Sequence, residues 1–133
     1  MNSADIVRGF WDAMRSNDFD AAAARWLAPD YVGLWPQSGE VARGPDAFAR
    51  MNNVFPDQGN WRFEETSILA DGPRVVSNMR VTNAGTGDVF HTITFHDVAE
   101  GRITRQTEYW PDPYEVPAWR MGLTEIDRET ARW

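Results

Sequence analysis

The chain contains no cysteine. That excludes a disulfide framework, a thiolate nucleophile and any zinc site built on cysteine sulfur. Histidine is scarce too: only His91 and His96 occur, too few for a metal site without carboxylate help, and no metal is expected. Basic residues nowhere form a run, and the formal net charge is −7 at pH 7. A nucleic-acid partner, which needs clustered cations, is therefore not expected. No apolar stretch approaches the ~20 residues of a membrane span. Met1–Asp5 has neither the basic nor the apolar region of a signal peptide, so a soluble cytoplasmic protein with no membrane partner is the default expectation. There is no glycine-rich phosphate loop, since Asn83–Gly87 reads as a hairpin turn, and no serine nucleophile in a recognisable setting.

What the chain does have is apolar mass and rings. Its 133 residues suit one domain over 1–133, with a core over about 3–121 and a polar tail over 122–133. Apolar residues reach 42%, enough to fold. Aromatics reach 13%, with seven tryptophans, more than so small a core needs. Some of these rings should wall a ligand cavity or cover an interface. Trp61 and Trp119 are the candidates for an interface.

The order of elements follows from periodicity and punctuation. Ser3 to Asn17 reads as a first helix capped by Ser3, with Phe10 and Met14 at helical spacing and Trp11 beside them. Asp18 caps a second helix, Phe19 to Leu27, whose four-alanine run favours helix; Ala28-Pro29-Asp30 stops it. Tyr31–Trp35 is a short strand and Val41–Arg43 its return. Pro45 opens a third helix bearing Phe48 and Met51, followed by a loop over 56–60. Four strand-like runs follow, over 61–70, 74–82, 88–99 and 102–110, separated by short turns, which predicts an antiparallel meander. A short helix is expected over 113–121, with Asp112 and Glu115 capping it rather than the mouth of a pocket. The fold class is α+β, a cone-shaped curved antiparallel sheet packed against three N-terminal helices and enclosing a hydrophobic pocket.

The last strand carries the residue of most interest. Alternation puts Arg102, Thr104, Gln106, Glu108 and Trp110 on one face and Ile103, Arg105, Thr107 and Tyr109 on the other. Neither face is uniformly apolar. The Glu108 face either meets solvent, with Glu108 paired to an arginine, or lines a cavity that uses polar groups. In an apolar, tryptophan-lined cavity the carboxyl's neutral form is favoured, and it could serve as acid or base near neutral pH. On the preceding strand His91 shares a face with Ile93 and Phe95. It is read as entering the pocket, where a His–Glu pair would serve proton transfer, or as a hydrogen-bonded core histidine. His96, beside Asp97, is expected at the surface. Val75, Ser77, Met79 and Val81 should point inward and Arg80 outward. The wall candidates are Trp11, Trp26, Tyr31, Trp35, Phe48, Phe55, Met79 and Trp110.

Several pieces, in order, resemble the nuclear transport factor 2-like superfamily, and within it the SnoaL-like, polyketide cyclase-like group. They are Phe10-Trp11-Asp12-Ala13-Met14 with Asn17–Asp20, Ala28–Tyr31, Gly39-Glu40 with Arg43–Ala47, Asp71-Gly72 with Val75-Val76, and Glu100–Ile103 with Glu108-Tyr109-Trp110. The resemblance implies a homodimer through the outer sheet face. In limonene epoxide hydrolase-like members an acid on the last strand precedes a Tyr-aromatic pair, and Glu108 holds that place. Their middle-strand Arg and Asp fall at Met79 and Val81, so that machinery is incomplete. The Tyr and Asp of ketosteroid isomerase-like members fall at Phe10 and Trp35. SnoaL-type cyclases carry an acid/base carboxyl in this region, and Glu108 is similar in kind. The resemblance thus implies a small-molecule pocket protein. As an enzyme it would be a cofactor-free cyclase, isomerase or dehydratase acting on a small hydrophobic carbonyl compound, with Glu108 as acid/base and His91 assisting. The alternative is a non-catalytic binder of small hydrophobic molecules on the same fold. A protein adaptor would instead leave an apolar sheet face exposed in a monomer.

Overall fold

The computed structural model describes residues 1–56 and 59–132. The elements run α1 (Ser3–Met14), α2 (Phe19–Trp26), β1 (Leu27–Trp35), β2 (Glu40–Arg43), α3 (Pro45–Asn53), β3 (Trp61–Asp71), β4 (Arg74–Asn83), β5 (Val89–Ala99) and β6 (Arg102–Tyr109). Part of the loop expected over 56–60 lies outside the described residues.

The helices start where local chemistry satisfies their free N–H groups. α1 is capped by Asn2 rather than by Ser3. The Asn2 side chain accepts from the Asp5 N–H at 2.9 Å, and the Asp5 carboxylate accepts from the Asn2 N–H, a reciprocal capping box. Asp18 accepts from the Ala21 N–H at 3.0 Å and starts α2. α3 has Pro45 in its first turn. α1 buries Ile6, Val7, Phe10, Trp11 and Met14 along one stripe, as the spacing requires.

The six strands form one curved, unclosed sheet in the order β2-β1-β6-β5-β4-β3. The meander β3–β6 is antiparallel throughout, as is β1 with β2. β1 and β6, however, run parallel, so the sheet is mixed rather than wholly antiparallel. The chain leaves β2 through α3, begins the meander at the far edge, and returns beside β1 only with β6. β1 also begins earlier than expected, at Leu27. Its pairing with β6 is interrupted between Leu27 and Val32, and Pro29, which has no N–H to give, sits in that interruption.

Two irregularities set which side chains face the helices. One lies in β3 between Glu65 and Ser67. The other is in β6: Asp97 pairs with Arg105 and Val98 with Ile103, so Thr104 is an extra residue. The bulge turns Ile103, which is fully buried, to the same side as Gln106. Simple alternation had assigned them to opposite faces. The core joins the α1 stripe to Phe19, Leu27, Tyr31, Phe48, Phe63, Val75, Met79, Val81 and Ile103. Arg80 is exposed, and its neighbours Met79 and Val81 are buried, as expected. After β6 the chain is irregular apart from one 3₁₀ turn, Ala118–Arg120, in place of the helix expected over 113–121. Trp119 on that turn is 77% exposed. Among the described residues no helix is long and apolar enough to cross a membrane.

Candidate active site

A cavity of about 450 Å³ opens between the helices and the inner sheet face. Rings of Phe10, Trp11, Phe19, Phe48, Trp61, Phe63 and Phe90 make most of its wall, and Trp35 and Trp110 stand at the end where Glu108 enters. Five of the eight wall candidates line it: Trp11, Trp35, Phe48, Phe55 and Trp110. Three do not. Trp26 lies outside, its ring against the backbone of Gly9 and under the Arg25 guanidinium at 4.2 Å. Met79 is fully buried in the core. Tyr31 is buried behind the cavity. Trp61, expected at an interface, instead faces the cavity. Its Nε1–H donates to the Pro56 carbonyl at 2.9 Å, and its ring meets Phe55 at 4.9 Å. Asp112 lines the mouth rather than capping a helix. Gln37, Ser38, Met51 and Asn52 also line the cavity. Met51 lies one helical turn from Phe48, on the apolar side that spacing predicts; Gln37, Ser38 and Asn52 lie in a turn and on a helix flank, where no spacing rule singles them out.

Glu108 has three partners. The Trp110 Nε1–H donates to its Oε1 at 2.6 Å and the Trp35 Nε1–H donates to the same oxygen at 3.1 Å. The Thr94 hydroxyl donates to Oε2 at 3.3 Å. Register brings the donors there: Thr94 pairs directly with Glu108 across β5–β6, and Leu34 with Thr107 across β1–β6, which sets Trp35 beside Glu108. Burial pushes the Glu108 carboxyl above its ordinary value, while the bonds from Trp110, Trp35 and Thr94 pull the other way. Oε1 is thus held by two indoles and Oε2 by one longer bond. No lysine occurs in the sequence, so an imine between a ligand carbonyl and a lysine is unavailable.

His91 does not join this site. On β5 the inner face carries Phe90, Thr92, Thr94 and His96; His91 is three residues from Thr94 and so faces the other way, opposite Arg80. Burial and the Arg80 charge both lower its pKa. His96, expected at the surface, is 1% exposed and lies in the interior. The reason both assignments fail is the same. The apolar set Ile93 and Phe95 looked like the inward one, yet Phe95 is 42% exposed and packs edge-on to Tyr109 at 6.3 Å. The inward set is polar because its hydrogen bonds are satisfied internally. The Tyr31 hydroxyl donates to Gln106 Oε1 at 2.7 Å, and Gln106 Nε2 donates to His96 Nδ1 at 3.1 Å. His96 Nε2 meets Ser77 Oγ at 2.8 Å, and the Trp11 Nε1–H donates to that same Oγ at 3.1 Å. Burial lowers the His96 pKa to about 3, so the ring is neutral, and the chain of bonds anchors Trp11 at the cavity wall. Tyr31 stays protonated, its pKa raised well above the ordinary value by burial and by the Glu108 charge. Among the described residues no group of three or more His, Asp or Glu is placed to hold a metal ion.

Comparison with known proteins matches this arrangement to a family. The model of the SnoaL-like domain matches residues 7–106, most of the chain. The chain belongs to the SnoaL-like domain family. Solved structures of the nuclear transport factor 2-like fold surround it. A Kribbella flavida protein titled "putative ketosteroid isomerase" is 28% identical, with a TM-score of 0.82 over 94% of this chain and 89% of that one. An NTF-2 like protein of unknown function from Burkholderia xenovorans is 23% identical, with a TM-score of 0.74 over 94% of each chain. A Sinorhizobium meliloti protein titled "putative polyketide cyclase" is 25% identical, with a TM-score of 0.66 over 79% of this chain and 94% of that one. No protein with a curated description matches the sequence. In this SnoaL-like chain Phe10 and Trp35, the positions where the resemblance would put an isomerase's Tyr and Asp, both line the cavity. The half-buried carboxyl is on β6 instead, bonded to Trp35.

Proposed function

We propose that this protein takes up a small hydrophobic molecule in the aromatic cavity and that Glu108 exchanges a proton with it through Oε2. Such an exchange, without a cofactor, is the step that cyclisation, isomerisation or dehydration needs. The observation that carries this reading is the carboxyl itself. It lines the cavity, is half-buried, takes two indole bonds on one oxygen, and is pushed by burial above its ordinary value. His91 has no part in it, because it lies on the other face of the sheet.

A second reading, binding without chemistry, is favoured by a different observation. The polar groups nearest Glu108 are Trp35, Trp110 and Thr94, and all three are spent on holding it. Enzymes of this kind usually need a second group to stabilise the charge that develops. Carboxyl-detected NMR titration, with Glu108→Gln as the assignment control, tests the first reading. Glu108 is expected to titrate above the ordinary glutamate value of ~4.3. A value at or below that would remove the desolvated acid on which proton exchange depends and leave the binding reading.

A further inference from the structure

We infer that the polar group of the molecule this cavity accepts is a protonated amine. The inference rests on the reading of the cavity as a ligand site and adds the chemical class of the ligand.

Four tryptophans line the cavity, and an indole has one hydrogen to donate. Trp11 gives its hydrogen to Ser77 Oγ, Trp61 to the Pro56 carbonyl, and Trp35 and Trp110 to Glu108. None of these four indole donors is left for a ligand. No arginine or histidine is among the described lining residues, and the chain has no lysine. Gln37, at the mouth, bonds the Trp110 backbone with both ends of its amide: Nε2 donates to the Trp110 carbonyl at 3.2 Å, and Oε1 accepts from the Trp110 N–H at 2.7 Å.

The charged groups of the described lining are both acidic, Glu108 inside and Asp112 at the mouth; the neutral polar ones besides the indoles are Ser38, whose hydroxyl donates to Glu40 at 2.6 Å, and the amides of Gln37 and Asn52, each of which donates one N–H to a backbone carbonyl. Each of the three hydrogen-bond partners of Glu108 is neutral, and no ion pair among the described residues includes it. A carboxylate ionised in an apolar enclosure lacks its countercharge. An ammonium group on the ligand would supply that charge and donate to Oε2, with the faces of the surrounding rings adding cation–π attraction. A carboxylate would bring a further negative charge to a lining whose charged groups are both acidic, and a ketone could bond Glu108 only in its protonated form.

The two cases differ in sign with pH. Amine binding needs Glu108 ionised, so it tightens as pH rises through the Glu108 pKa. Ketone binding needs Glu108 protonated, so it weakens over the same range.

The test is a tryptophan-fluorescence titration with three probes of one shape, cyclohexylammonium, cyclohexanone and cyclohexanecarboxylate, from about pH 5 to pH 8. The ammonium is expected to bind about tenfold more tightly than the ketone at pH 7, to tighten with rising pH, and to lose that preference in Glu108→Gln. The carboxylate is expected to bind most weakly. The pH arm uses the wild type alone, so the proposal is decided even if Glu108→Gln does not fold. A ketone that binds as tightly as the ammonium overturns the amine assignment and leaves the cavity reading standing. An ammonium preference that survives in folded Glu108→Gln overturns it as well, since the overall negative charge would then explain the preference. Binding by none of the probes overturns both readings.

Discussion

Trp110 and Glu108 stand two residues apart, and the Trp110 indole N–H reaches back to Oε1 of Glu108 at 2.6 Å. Strand alternation puts residues i and i+2 on one face. Trp110 follows the last residue of β6, where its backbone is held by Gln37 rather than by a neighbouring strand. The ring lines the cavity beside the carboxyl. Removing this bond should raise the Glu108 pKa, because the indole favours the ionised form. Trp110→Phe is expected to raise it more than Trp35→Phe, whose bond is longer and contributes less. NMR titration of Glu108 in the two variants checks the order. Equal values or a fall would show that the indoles do not set the carboxyl's proton affinity.

Gly33 should not tolerate a side chain. A Cβ built there would lie 2.6 Å from the Tyr31 hydroxyl and 3.2 Å from the Trp35 ring. Tyr31 is pinned by Gln106, and Trp35 by Glu108. Gly33→Ala is expected to destabilise the protein by about 1–3 kcal/mol, as overpacking does. By displacing Trp35 it should also move the Glu108 pKa upward. Urea denaturation and the same titration measure the two effects.

A similar contact governs Gly9. In an exposed helix Gly→Ala stabilises by up to ~1 kcal/mol. At Gly9 a Cβ would sit 2.2 Å from the Trp26 ring, so Gly9→Ala should destabilise instead. The double variant Gly9→Ala with Trp26→Ala should recover part of the loss through removal of the clash. Thermal melts of the two single variants and the double variant give the coupling.

His96 and Glu108 should give opposite pH limbs. The folded pKa of His96, about 3, lies below its ordinary 6.5, so the folded state binds fewer protons. Its contribution is complete above pH 6.5 and is lost as pH falls toward 3, on the order of a few kcal/mol over that span. Glu108 has a raised folded pKa, so its contribution is complete below its ordinary value and is lost as pH rises through the folded value. His96→Gln is expected to flatten the acid limb and Glu108→Gln the opposite one in urea melts from about pH 4 to pH 8. An acid limb unchanged in His96→Gln would mean that His96 is not held neutral by the fold.

Sequence and tertiary structure divide the account unevenly. The three helices, the β3–β6 meander and the place of Glu108 near the end of the last strand were legible in the sequence. They depend on local signals, namely caps, helical spacing, proline and the glycine turns at Gly72 and Gly101, both of which hold positive φ. The faces of β5 and β6 were not legible. A strand's alternation says which residues share a face but not which face is inside, and the bulge at Thr104 shifts even the sharing. His96 and Gln106 could be buried only because Tyr31, Ser77 and Trp11, from three other elements, supply their hydrogen bonds. His91 lost its expected place beside Glu108 for the same reason: the polar side of β5 turned inward. The sequence by itself determined the family, the three N-terminal helices, the meander and the carboxyl. Only the tertiary structure decided what surrounds that carboxyl, because burial and hydrogen-bond satisfaction depend on strands distant in sequence.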